Sequence, residues 1–103
     1  MMRLVWTEPA VADLQAIVDF IGRDSEVYAA TVAERLFQGV EALERFPRMG
    51  KVVREVRRPS IREIVVEPYR IIYRIRQDRV EILAIVHGAR DLLGVRPAPW
   101  RRA

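Results

Sequence analysis

The chain of 103 residues contains no cysteine and a single histidine, His87. The first absence excludes a disulfide framework and a thiolate zinc site. The second makes a histidine-based metal centre or a complete Ser-His-Asp triad a poor starting point. Lysine is almost missing too: Lys51 stands against seventeen arginines. No run approaches the ~18 uncharged apolar residues of a membrane helix. Glu8 and Asp13 interrupt any signal-peptide core near the N-terminus. Phosphate loops, GxGxxG and carboxylates at metal-ligand spacing are lacking as well. These absences lead us to expect one small domain, residues 1–103, with no cofactor, no metal and no membrane contact, located in the cytoplasm.

What is present is a folded composition, 50% hydrophobic and 31% charged. The net charge of +4 is unevenly spread. Residues 1–44 hold three bases and eight acids, whereas residues 45–103 hold fifteen bases and six acids. GC-rich coding can produce the Arg:Lys ratio, but it does not explain that split. The guanidinium is a planar five-donor fork suited to carboxylates and phosphates. A basic half built from it points to an anionic partner, either nucleic acid or an acidic protein surface.

The apolar pattern predicts an α+β fold. Arg3 to Trp6 reads as a first strand, and Thr7 as the N-cap of a helix with Pro9 in its first turn. Ala10, Leu14, Ile17 and Ile21 recur at helical spacing, with Asp24 or Ser25 capping a second helix. There Ala29, Val32, Leu36, Val40 and Leu43 form the stripe, widened by Ala33 and Phe37. Phe46-Pro47 ends it, and Gly50 completes a turn. The short connection makes the helices an antiparallel hairpin. Ile61 to Glu67, Arg70 to Arg76 and Arg79 to His87 read as antiparallel strands, with a short strand in Lys51 to Ser60. The expected fold is thus an N-terminal strand and a helix hairpin on a mainly antiparallel sheet of three to four C-terminal strands.

Placing two-residue loops at Pro68-Tyr69 and Gln77-Asp78 sets the register. Tyr73 then opposes Ile64 and Ile82, Ile71 opposes Val66 and Ala84, and Ile75 opposes Val80, all beneath the helices. On the other face Arg74 lies between Glu63 and Glu81, and Arg70 between Glu67 and Ile85, leaving an open, half-charged surface. Residues 94–103 read as a basic tail able to stay unordered by itself.

Several residues on that surface invite a role. Arg74 suits a cross-strand ion-pair ladder. Arg70 and His87, expected on one face, would suit RNA cleavage by 2′-hydroxyl attack, with the Arg neutralising a phosphate and the His moving a proton. Arg54, Arg57 and Arg58 form one basic cluster, and Arg90, Arg96, Arg101 and Arg102 another. Trp100 is a stacking anchor or a packing cap.

The order of elements and several strings resemble the ParE/RelE superfamily of toxins from bacterial type II toxin–antitoxin modules. The strings are Val5-Trp6-Thr7 with Ala10 and Asp13-Leu14, then Leu43-Glu44-Arg45-Phe46-Pro47 with Gly50, then Arg62-Glu63-Ile64. They continue with Pro68-Tyr69-Arg70-Ile71-Ile72-Tyr73-Arg74 and with Val80-Glu81-Ile82-Leu83 leading to His87-Gly88-Ala89-Arg90-Asp91. The resemblance spans residues 3–93. The ribonuclease branch, which cuts mRNA in the ribosome, carries lysines where this chain has Ile61 and Glu63, and often a tyrosine near the position of Arg96. It shares Arg70 and Arg90, so a nuclease here would use Arg70, Arg90 and His87. A further nuclease branch uses a Glu, an Arg and a His, which Glu55, Arg70 and His87 imitate.

The ParE-like branch fits the long hairpin, the FPxxG turn and the HGARD ending. It implies a toxin without an active site that inhibits DNA gyrase by binding. It implies a ParD-like antitoxin as partner, with operator DNA reached only through that antitoxin. Antitoxin or target contacts are then expected at Arg57, Arg58, Arg70, Arg74, His87, Arg90, Arg96 and Trp100. A ribosome-dependent endoribonuclease and a non-toxic antitoxin-binding module are the alternatives.

Overall fold

The structure, a computed structural model, describes residues 1–88, 92–94 and 97–101. Strand β1 (Arg3–Trp6) leads into helices α1 (Glu8–Gly22) and α2 (Glu26–Glu41), and a 3-10 turn at Ala42–Glu44 extends α2. Strands β2 (Lys51–Val52), β3 (Ile61–Val66), β4 (Tyr69–Ile75) and β5 (Arg79–His87) follow, then 3-10 turns at Leu92–Gly94 and Pro99–Arg101. The five strands form one sheet in the order β1-β5-β4-β3-β2. Only β1, paired to β5, runs parallel to its neighbour. The expected α+β architecture is the one found, with four C-terminal strands and β1 added at the edge.

The helices start where side chains satisfy their free N–H groups. The Thr7 hydroxyl accepts from Ala10 N at 3.3 Å, and the Ser25 hydroxyl from Tyr28 N at 3.0 Å. Thr7 also joins the helix to the sheet, because its Oγ1 donates to the Ile82 carbonyl at 2.8 Å. One core lies between hairpin and sheet: Ala10, Val32, Leu36, Val40 and Leu43 pack on Ile71, Tyr73, Val80, Ile82 and Ile85. Leu14, Ile17 and Ile21 close it from α1, as their spacing predicts.

Two register expectations are corrected. The β3–β4 turn is Glu67-Pro68, so Ile64 opposes Ile71 and Val65 opposes Arg70. Pro68 has no N–H to offer a ladder, whereas Tyr69 pairs with both Val66 and His87. The slip is two residues, so every β3 side chain keeps its face. The second correction changes faces. β5 follows the expected register at Tyr73↔Ile82, Arg74↔Glu81 and Ile75↔Val80, then shifts by one, to Ile72↔Ala84, Ile71↔Ile85 and Tyr69↔His87. Leu83 is the extra residue of a β-bulge. Ile85, not Ala84, therefore enters the core under the helices.

The face opposite the helices is not open. Val53, Ile61, Ile72, Leu83, Ala84, Val86 and Leu92 form a second buried cluster, with Val56 and Trp100 packed on it. The chain's own 53–60 segment and its C-terminal part cover the apolar half of that surface. Pro99 is buried and Trp100 half-buried, and Trp100 packs on this cluster.

Candidate functional site

Flanking this second cluster, the charged half of the face resolves into two nodes. At one, Arg70 is held between Glu55 and Glu63. Its Nη1 and Nη2 donate to the two Glu55 carboxylate oxygens at 3.3 and 3.2 Å, and its Nε donates to Glu63 at 3.1 Å. A second, short bond runs from Arg70 Nη2 to Glu63 Oε2. Glu63 is buried and the Arg70 side chain is 14% exposed. The Arg70 bond holds the Glu55 carboxyl below the usual carboxylate range, against a smaller opposing effect of burial. Bonds to Glu63 hold the proton on Arg70 more tightly than usual.

At the other node Arg74, Arg76 and Arg79 meet the buried carboxylate of Glu81. Arg74 Nη2 also donates to the Trp100 carbonyl at 2.9 Å, fixing the C-terminal turn to β4. Burial, with a contribution from Arg76, lowers the proton affinity of Arg74, and Glu81 opposes this.

Arg57 and Arg58 stand exposed on the turn before β3, where Arg57 has φ of 60°. His87 ends β5, exposed, its ring edge-on to Tyr69 at 6.1 Å. Tyr69 packs on the helix-side core, so His87 and Arg70 fall on opposite faces of the sheet. Their expected juxtaposition is corrected, and the cause is the Leu83 bulge. Arg90 and Arg96 lie outside the described residues.

Sequence reading missed Arg76 and Arg79 as partners of Glu81, and Glu63 as partner of Arg70. The alternation of Glu63, Val65 and Glu81, Leu83 against Arg70 and Arg74 held that signal, but only the true register assigns the pairs. It also missed the apolar side chains left exposed on the hairpin: Val11, Phe20, Val27, Tyr28 and Phe37. The Arg23 guanidinium lies 6.0 Å from the Phe20 ring centre. Among the described residues no group of three His, Cys, Asp or Glu converges to hold a metal. No helix there is long and apolar enough to cross a membrane.

Residues 4–92 match the family described as the ParE toxin of type II toxin–antitoxin system, parDE. The chain is 38% identical over 91 residues to Toxin RelE2 of Caulobacter vibrioides, covering 87% of this chain and 99% of that one. It is 30% identical over 93 residues to Toxin ParE3 of the same organism, covering 89% and 92%. Among solved structures, a chain of the chromosomal ParDE toxin–antitoxin system from P. aeruginosa superposes with a TM-score of 0.71 at 28% identity, over 84% of this chain and 96% of that one.

Proposed function

Because the chain belongs to the ParE family of toxins from type II toxin–antitoxin systems, we propose that it arrests growth by binding DNA gyrase, without making or breaking a bond itself. A ParD-like antitoxin neutralises it. The observation that carries this reading is the separation of Arg70 from His87, together with the two carboxylates that already occupy the Arg70 guanidinium. A phosphate approaching Arg70 must displace Glu55 and Glu63, and no imidazole stands on that side to move a proton. Binding needs other things: a few apolar anchors and complementary charge. Phe20, Val27, Tyr28 and Phe37 supply anchors on the hairpin, and the basic half supplies charge for an acidic antitoxin segment.

The test combines two readouts. Purified toxin inhibits gyrase supercoiling or traps cleaved DNA, and its expression without antitoxin induces a DNA-damage response while mRNA stays intact. Codon-dependent mRNA cuts during arrest would instead establish the ribonuclease. Normal growth would identify a module that only binds its antitoxin. Arg70→Ala is a poor discriminator between the first two, because stranding buried Glu63 unfolds as well as disarms.

A further inference from the structure

Where β3 begins and β4 turns into β5, the sheet ends in a surplus of positive charge. Arg74, Arg76 and Arg79 approach the one carboxylate of Glu81 at 3.5, 3.2 and 3.2 Å, and Arg79 also meets Asp78 at 3.0 Å. Arg3 is the register partner of Arg79 on β1. The Arg57–Arg58 turn sits beside them, because Ile75 N donates to the Ser60 carbonyl at 2.8 Å and Ile61 pairs with Arg74. Glu81 is buried, so its charge is spent inward. The bases face out: Arg76 and Arg79 are 42% and 32% exposed, and Arg3, Arg57 and Arg58 are exposed.

Two further observations say what this end would take. The large apolar side chains left exposed among the described residues include none from the 53–60 segment, the start of β3 or the 76–79 turn. Protein interfaces are built around apolar anchors, whereas a phosphate backbone is held by charge alone. The Arg57 backbone is in the left-handed region, which costs a non-glycine residue energy, and its N–H is pinned to the Val53 carbonyl at 2.9 Å. The turn thus presents Arg57 and Arg58 from a fixed frame.

We propose that this arginine-rich end of the sheet grips the phosphate backbone of duplex DNA through Arg57, Arg58, Arg76 and Arg79. The toxin itself then touches DNA, beyond any contact made through an antitoxin. The choice of DNA among phosphate polymers rests on the gyrase reading above, while the charge argument stands without it. Each guanidinium fork matches a phosphate: Arg57 and Arg58 are exposed, Arg76 holds Glu81 through Nε while 42% exposed, and Arg79 is shared with Glu81 and Asp78.

Fluorescence anisotropy of a labelled 20-base-pair duplex with the full-length toxin, between 50 and 200 mM salt, tests this. The test variant carries Arg58→Ala and Arg76→Ala. A control carries Arg48→Ala and Lys51→Ala, which removes equal charge elsewhere. The toxin is expected to bind with an affinity that falls linearly in log salt. The test variant loses about ten-fold or more at low salt, with a slope shallower by about two, and the control keeps nearly all of its binding. Where the double variant does not fold, Arg58→Ala alone should still flatten the slope by about one.

Four results overturn the proposal: no duplex binding at 50 mM salt; equal loss in the control; tighter binding of RNA of the same sequence through the same arginines; or a polyglutamate peptide bound through them while the duplex is not. A supercoiling assay on the same preparations separates the two readings. Gyrase inhibition without duplex binding sinks this inference and leaves the gyrase reading standing. Duplex binding through these arginines with gyrase unaffected does the reverse.

Discussion

A single hydroxyl ties β4 of this toxin to the Phe46–Gly50 turn at two points. Tyr73, fully buried in β4, donates to the Pro47 carbonyl at 2.7 Å and accepts from Gly50 N at 3.0 Å. The FPxxG turn is therefore a dock for β4, and its glycine is required by space: a Cβ there would lie 2.5 Å from both the Glu63 carbonyl oxygen and the Tyr73 hydroxyl. Tyr73→Phe strands one donor and one acceptor and should cost about 1–3 kcal/mol in urea unfolding. Gly50→Ala should cost at least as much, because the atoms it meets are backbone and a buried ring. Burial also pushes the Tyr73 phenol above its usual pKa of 10.0. The unfolded chain thus gives up that proton more readily. The resulting stabilisation is whole below the ordinary tyrosine value and is lost as pH rises through the folded one. An alkaline unfolding titration should show this loss in the parent protein and a flatter curve in Tyr73→Phe. Equal curves would remove Tyr73 as the cause.

At the scale of elements, most of the fold was legible, and the register of β5 past its bulge was not. Helix stripes, both N-caps and the strand order along the chain follow from local spacing, since each depends on residues a few positions apart. The bulge at Leu83 does not, because the side chain that meets β5 just past it, Asp13, lies 72 residues away in sequence. Just past Trp6, Thr7 N still donates to the Ile82 carbonyl at 3.1 Å, and further along β5 the Asp13 carboxylate of α1 accepts from Ile85 N at 3.0 Å. That bond meets β5 just past the bulge, where the shifted register decides which face receives Ile85, Val86 and His87. The Arg70–His87 pairing failed for this reason alone: an odd shift in one strand inverts every side chain after it. Asp13 was visible in the Asp13-Leu14 string, but its partner was not. Asp13→Ala should leave a buried strand N–H unpaired and cost about 1–3 kcal/mol. Hydrogen exchange should locate the change at Ile85 and its neighbours. Protection there equal to the parent's would mean that the bulge stands without Asp13.

For the molecule as a whole, the sheet serves two cores with different fastenings. The helix side is closed by a long apolar hairpin. The other side is closed by a short segment and a C-terminal turn, pinned at their rims by Glu55–Arg70 and by Arg74 to the Trp100 carbonyl. The amphipathic surface seen in sequence was real, but its cover comes from Val53, Val56, Leu92 and Trp100, in stretches that have no strong period and read as loop and tail. Acid should loosen this second side first. The Glu55 carboxyl is held below its ordinary range by Arg70, so the stabilisation it gives is present above that range and fades as pH falls through the folded value. Trp100 reports on the same cluster, and a Trp6→Phe background makes it the sole indole. Its emission should shift to the red on acidification before the far-ultraviolet signal of the helices is lost. Glu55→Gln should show part of that shift at neutral pH, because the amide keeps one bond to Arg70 and loses the charge. If indole and helix signals fall together at every pH, the two sides form one cooperative unit and the Glu55 fastening does not act by itself.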